Sequence, residues 1–232
     1  GSTDVEVVGD TRFDRVVEIK EAAKQLPIVE SFVHGVPSLE WQKEGGEPRQ
    51  LPMVFVAGSS WPPDEDIFIP YFNQHKEWKM IIAPHVIGED HLKQIISKIE
   101  GKVVRYTEAT TENVADANVL IIDCFGLLSS IYHYGSVAYV GGGFGVGIHN
   151  TLEAGVWGVP VIFGPNNQRF SEAQGLKRAE GGFEIHTPED FEELITRFTD
   201  DAEYRKCCGD RAGAFVAQMT GATTKILGKA KS

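Results

Sequence analysis

The chain has 232 residues, 42% hydrophobic and 24% charged, an ordinary globular composition that suffices for one large domain or two small ones. Its 22 Lys and Arg stand against 33 Asp and Glu, a formal net charge of −11, which argues against a nucleic-acid backbone or an anionic membrane as the main partner. Cys207 and Cys208 are adjacent and Cys124 lies in an apolar stretch, which argues against a disulfide framework and for a reducing cytoplasm, and no apolar run approaches the roughly 20 residues of a spanning helix.

Gly1-Ser2 reads as the scar of a cleaved expression tag with no initiator methionine after it, so the chain reads as an excised piece of a longer protein. Residues 14–41 have a helical pattern, with Val16, Val17, Ile19, Ala23 and Leu26 on a broad face and Pro27 as an interruption. This segment is expected to pack on the edge of a sheet. A turn-rich spacer, Glu44-Gly45-Gly46-Glu47-Pro48, precedes the core.

Five short apolar runs then recur: Met53 to Ala57, Met80 to Ala83, Val119 to Ile122, Val137 to Val140 and Val159 to Phe163. None alternates with polar residues, which predicts strands buried on both faces, the habit of parallel sheets. Helical patterns lie between and after them, with Leu92, Ile95, Ile96 and Ile99 on one face and Phe191, Leu194, Ile195 and Phe198 on another. The second of these helices is expected to be capped by Thr187, with Pro188 in its first turn and Glu189 and Asp190 at the positive end of its dipole. From Asp201 onward the chain predicts one or two amphipathic helices with Tyr204, Cys208 and Phe215 inward, before the solvated tail Lys229-Ala230-Lys231-Ser232. Strands alternating with helices predict an α/β, Rossmann-like, doubly wound parallel sheet.

In such sheets ligands bind at the carboxyl ends of the strands. After Val140 comes Gly141-Gly142-Gly143-Phe144-Gly145-Val146-Gly147, five glycines in seven residues, followed by Ile148-His149-Asn150-Thr151-Leu152-Glu153. Such a loop lets the backbone approach a ligand, and the following helix start suits an anion such as a phosphate. The dinucleotide fingerprint G-x-G-x-x-G fails, since its last position falls on Val146 or Ile148, and no Walker lysine is present. Asn150 and Glu153 have the spacing of a capping box; alternatively, Glu153 accepts hydrogen bonds from the vicinal hydroxyls of a ribose. A metal held by His149 and Glu153 lacks further ligands nearby, and none is expected.

The other strand ends are weaker signals that agree. Ser59 and Ser60 offer hydroxyls ahead of Trp61-Pro62-Pro63-Asp64, or else are turn residues with Asp64 as helix cap. Pro84-His85 follows the second run, Phe125-Gly126 the third, and Arg169 puts a cation beyond the last.

Taken together, Gly9-Asp10-Thr11-Arg12-Phe13-Asp14-Arg15, Ala57-Gly58-Ser59-Ser60, Ala83-Pro84-His85, His149-Asn150-Thr151-Leu152-Glu153-Ala154 and Phe163-Gly164-Pro165 occur in an order that resembles the C-terminal half of 3-deoxy-D-manno-octulosonic acid (Kdo) transferases, glycosyltransferases of the two-lobed GT-B fold. The resemblance implies a core over residues 51–200 that binds CMP-Kdo, an interdomain segment and flanking helices over 3–50, and C-terminal helices over 201–232. It also implies inverting, metal-independent transfer of Kdo, without a cofactor, to the lipid A precursor of lipopolysaccharide on the cytoplasmic side of the bacterial inner membrane. The base and the acceptor site belong to the family's N-terminal half, so this chain alone is expected to be soluble, to span no membrane and to transfer no sugar, and the other half is expected to be more basic. Carried over by position, Ser59, Ser60, Pro84, His85, Phe125, Gly126, Gly141, Gly142, Gly143, His149, Asn150 and Glu153 would bind CMP-Kdo, with Glu153 on the ribose. The sequence departs from the family at His85, where an arginine is usual and Arg169 would compensate, and at Ile148, where glycine is usual. The alternatives are another GT-B enzyme acting on a UDP-sugar, as transferase or epimerase, or a non-catalytic nucleotide-sugar-binding domain.

Overall fold

The computed structural model describes residues 16, 18, 20, 21, 23, 25–35 and 51–219. The motif at residues 9–15, the spacer at 44–48, the Gly-Ser pair at 1–2 and the tail at 229–232 lie outside the described residues.

Helix α1 (Pro27–His34) precedes β1 (Val54–Ser60), α2 (Pro62–Gln74), β2 (Lys79–Pro84), α3 (Glu89–Lys98), β3 (Val103–Arg105), α4 (Thr111–Val114) and β4 (Val119–Ile121). There follow α5 (Leu128–Ile131), β5 (Val137–Val140), α6 (Leu152–Gly155), β6 (Val161–Phe163), α7 (Ser171–Arg178), β7 (Gly182–Glu184), α8 (Pro188–Asp200) and α9 (Ala202–Met219). The strands form one seven-stranded sheet in the order β3-β4-β2-β1-β5-β6-β7, and every pairing is parallel. The Rossmann-like expectation holds. Sequence reading found the five inner strands and missed β3 and β7, the two edges.

The continuous apolar runs have a simple cause. Val54 and Val56 of β1, Ile81 of β2, Leu120 of β4, Ala138 and Val140 of β5 and Val161 of β6 face one core, with Val29 and Phe32 of α1. Their neighbours Phe55, Ala57, Ile82, Ile121, Tyr139 and Ile162 face the other, against Phe68 and Phe72 of α2, Ile95 of α3 and Phe191, Ile195 and Phe198 of α8. Successive side chains of a strand point to opposite faces, so a strand covered on both sides has apolar residues at every position.

Pro27 opens α1 as its first-turn residue rather than interrupting a helix, and Val29, Phe32 and Val33 join the core on one face of the sheet. That corrects the expected edge position for this part of the segment. Over the described residues Ala202–Met219 the C-terminal region is one helix, α9, whose Cys208 enters the core beneath α8 while Val216 packs with Val16, Leu152 and Val156. It thus ties the α6 side of the sheet to the α8 side. At α8, the Thr187 hydroxyl accepts from the Asp190 N–H at 3.1 Å, the cap that the sequence predicts, and the Asp190 carboxylate accepts from the Thr187 N–H, which makes the cap reciprocal. Thr187→Ala is expected to cost about 1 kcal/mol of unfolding free energy in a urea titration, with an unchanged slope.

Candidate functional site

The chain runs to β2, β3 and β4 on one side of β1 and to β5, β6 and β7 on the other. The carboxyl ends of β1 and β5 therefore flank the point where strand order reverses, the place in such sheets where a crevice opens.

At the end of β1 the register shifts between Gly58 and Ser60, and Ser59 takes a left-handed backbone with φ 52°. A non-glycine residue in that region marks a locally strained turn held by its surroundings. The surroundings are visible. The Ser60 carbonyl accepts from the His85 N–H at 2.9 Å, while its fully buried hydroxyl donates to Glu65 Oε1 at 3.0 Å. Ser60 therefore serves the scaffold, and its hydroxyl is turned away from the rim on which it was expected to meet a ligand; Ser59 is the half-buried serine there. Glu65, itself fully buried, bonds through its other oxygen to His91 Nε2 at 3.0 Å, and burial raises its pKa.

Asp64 is not the cap of α2, as one sequence reading had it. Trp61 occupies that position. Asp64 sits in the first turn, fully buried, and accepts three hydrogen bonds: from the Trp61 N–H at 2.9 Å, from the Gly142 N–H at 2.9 Å and from the Tyr139 hydroxyl at 2.8 Å. One carboxylate thereby joins the start of α2 to β5 and to the glycine loop. Desolvation raises its pKa against the lowering effect of those three donors.

The loop itself is built around close approaches. A Cβ on Gly141 would lie 2.3 Å from the Ser59 carbonyl oxygen, and Gly142 has φ +93°, so neither position accepts a side chain in this backbone. Asn166 laces the loop to the end of β6, donating from its N–H to the Gly143 carbonyl at 2.8 Å and from its amide to the Gly145 carbonyl at 2.7 Å. The N–H groups of Gly143, Phe144 and Asn150 have no hydrogen-bond partner among the described residues.

The helix after the loop starts one residue later than a capping box at Asn150 requires. Thr151 is the N-cap of α6, and Glu153 occupies its first turn. Asn150 stands before the cap, where its side-chain oxygen accepts from the Leu152 N–H at 3.1 Å and its amide donates to Glu153 Oε1 at 3.1 Å. The capping-box reading is thus replaced by a side-chain pair that orients the half-buried Glu153 carboxylate. The Glu153 charge also acts on the buried Tyr132 phenol, whose pKa burial holds far above its usual value.

Three rings gather beside this loop. His149 Nε2 accepts from the Trp61 indole N–H at 3.2 Å, and the exposed His85 ring stacks on both, 4.6 Å from Trp61 and 4.4 Å from His149 between centroids. Trp61 was absent from the sequence-predicted set, although a tryptophan amid Ser-Ser and Pro-Pro at a strand end was the available signal.

The structure therefore brings Ser59, Trp61, Pro84, His85, Gly141, Gly142, Gly143 and His149 into one group, with Asn150 and Glu153 following along the chain. Phe125, Gly126 and Arg169 are exposed on neighbouring loops, and no hydrogen bond or ring contact joins them to this group among the described residues. A cavity of about 910 Å³ lies elsewhere, lined by His34, Leu51, Met53, Ser136 and Trp157 toward the amino ends of β1 and β5. Its lining also gathers polar groups, among them Glu30, His34, His133, Tyr134 and Arg205, but it lies at the amino ends of the strands, and topology decides for the rim. Among the described residues no cluster of His, Cys, Asp and Glu is placed to hold a metal, and no helix is long and apolar enough to cross a membrane.

No protein-family model matches the chain. Among curated proteins it is similar to the 3-deoxy-D-manno-octulosonic acid transferase of Aquifex aeolicus, 32% identical over 160 residues covering 65% of this chain and 42% of that protein. A second relative is the transferase of the same name from Rickettsia prowazekii, 28% identical over 149 residues, 62% of this chain and 32% of that protein. A bifunctional glycosyltransferase/methyltransferase of Fusobacterium nucleatum is 29% identical over 61% of this chain and 23% of its own length. The match spans less than half of each relative. Among solved structures, the C-terminal CMP-Kdo binding domain of WaaA from Acinetobacter baumannii superposes with a TM-score of 0.65 at 19% identity, covering 83% of this chain and 99% of that one. The Anabaena protein HepE, in complex with UDP, gives 0.55 at 12% identity over 92% of this chain and 55% of that one. The chain thus has homologues named Kdo transferase, and its fold is that of a Rossmann-like lobe of GT-B glycosyltransferases.

Proposed function

We propose that this chain is the donor-binding lobe of a Kdo transferase and that it holds CMP-Kdo at the carboxyl ends of β1 and β5. The observation that carries the reading is the pairing of Asn150 with Glu153 immediately after the glycine loop, in a chain homologous to Kdo transferases. An oriented carboxylate is suited to accept both hydroxyls of a ribose. The N–H groups of Gly143 and Phe144, without a partner among the described residues, are donors for an anionic oxygen, and their role is to stabilise the phosphate as CMP leaves.

The remaining rim residues follow in this reading. Ser59 and the His85–His149 pair face the phosphate and the sugar carboxylate, Phe125 and Gly126 border the nucleotide, and Arg169 supplies the cation that the family's usual arginine would bring at His85. The Ser60 hydroxyl, spent on Glu65, drops out of direct binding. The catalytic base and the lipid A precursor site belong to the other lobe of the intact enzyme, at the cytoplasmic side of the inner membrane, and transfer is inverting and needs no metal or cofactor. This lobe binds the donor without transferring it.

Titration of the chain with CMP, UMP and NAD tests the proposal. CMP is expected to bind in preference to both, and Glu153→Ala to weaken it about 30-fold, the loss of a charge-assisted contact worth about 2 kcal/mol. A clear preference for UMP would transfer the reading to a UDP-sugar enzyme, and a folded chain that binds no nucleotide would leave a non-catalytic domain.

A further inference from the structure

Trp61 does more at the rim than start a helix. Its indole N–H lies 3.2 Å from His149 Nε2, so the two rings meet edge to edge, and the His85 ring lies across both, inclined by 25° to one and 26° to the other. An indole nitrogen donates and never accepts. The His149 Nε2 facing it is therefore the lone-pair nitrogen, and the ring's proton resides on Nδ1. Protonating Nε2 would set two N–H groups head to head and break the bond. Nδ1 has no hydrogen-bond partner among the described residues, and the stacked His85 resists a flip of the ring that would exchange the two nitrogens.

We propose that Trp61 is a positioning residue that fixes His149 as the neutral Nδ1–H tautomer, making the ring a fixed donor for a phosphate or carboxylate oxygen of the ligand. The ligand's identity rests on the reading above; the tautomer does not. Two further influences favour the neutral ring: burial and the neighbouring His85 both lower the His149 pKa, while Asp64, on α2, acts the other way. These are the titratable groups that act on His149. A neutral donor of fixed direction selects an acceptor oxygen by geometry, where an imidazolium would attract any anion and would vary with pH.

A long-range proton–nitrogen correlation spectrum of the histidine rings reads the tautomer directly in the unmodified chain, with the His149 signals identified by their loss in His149→Ala. The expected pattern is Nδ1 protonated and Nε2 bare at neutral pH; Nε2 protonated would overturn the proposal, and this measurement needs no variant at Trp61 to fold. Trp61→Phe keeps an aromatic ring without the N–H. It is expected to lose the Nδ1–H pattern, to raise the midpoint of His149 titration and to weaken CMP about fivefold at pH 7.5, the effect of one poorly placed donor. Unchanged CMP affinity alongside a changed tautomer would remove the donor role. If the unmodified chain shows the Nδ1–H tautomer and binds no CMP, the nucleotide reading fails and the tautomer assignment stands.

Discussion

Asp64→Ala is expected to lower the unfolding free energy by about 3–5 kcal/mol, while Asp64→Asn costs less than half as much. The difference follows from the three donors that converge on this carboxylate, the Tyr139 hydroxyl and the N–H groups of Gly142 and Trp61. Alanine strands all three, and Tyr139 is fully buried, where an unmatched hydroxyl has no water to turn to. Asparagine keeps a partner for both backbone N–H groups and for the Tyr139 oxygen, leaving only the Tyr139 hydroxyl proton without its acceptor. Its side-chain oxygen accepts from both backbone N–H groups, and its amide donates to the Tyr139 oxygen once that hydroxyl rotates. Urea titrations of the two variants measure the gap.

The same pair carries a pH signature. Burial places the Asp64 pKa above the 3.8 of an unfolded aspartate, so the folded state retains the proton more readily. The stability from this group is fully present below pH 3.8 and is lost as the pH rises through the folded pKa. Asp64→Asn is therefore expected to flatten the fall in stability with rising pH over that window. It will not abolish the fall, because Glu65, raised by burial in the same direction, remains. An Asp64→Asn variant with the full wild-type slope would show that Asp64 does not titrate there.

What the sequence made legible and what it hid divide by the range of the interactions. The inner strands were readable because alternate residues feed two cores, which leaves an unbroken apolar run. β3 and β7 each have a single neighbour and three residues, and β3 is only half-buried, so no such run was required of them. The α8 cap was readable because its signals are contiguous, Thr187 followed by Pro188, Glu189 and Asp190. The reading of Asp64 as a cap, one of two alternatives, saw only its local partner, because Tyr139 and Gly142 are 75 and 78 residues away. The inward turn of the Ser60 hydroxyl was hidden for a related reason: nothing in a Ser-Ser pair tells which hydroxyl turns inward, and the register shift at the end of β1 exists only once β1 and β2 are paired. The glycine loop stands at the end of β5, where the sequence places it, yet most of its glycines answer to packing whatever they owe to a ligand.

That double demand separates the glycines by experiment. Gly141→Ala is expected to prevent folding or to cost more than about 4 kcal/mol, because its Cβ would sit 2.3 Å from the Ser59 carbonyl oxygen and 2.6 Å from the Ser60 Cα. Both obstacles are backbone. Moving them means parting β1 from β5 at the centre of the sheet, where Gly141 itself donates to the Gly58 carbonyl at 2.9 Å. Gly145→Ala meets nothing within 4 Å and is expected to change stability by no more than about 0.5 kcal/mol. With the fold intact, a loss of CMP binding in Gly145→Ala would report the approach of a ligand to the loop and nothing else. If Gly141→Ala instead folded with wild-type stability, the tight seam between β1 and β5 would be disproved, and with it the geometry on which Ser59, His149 and the loop converge.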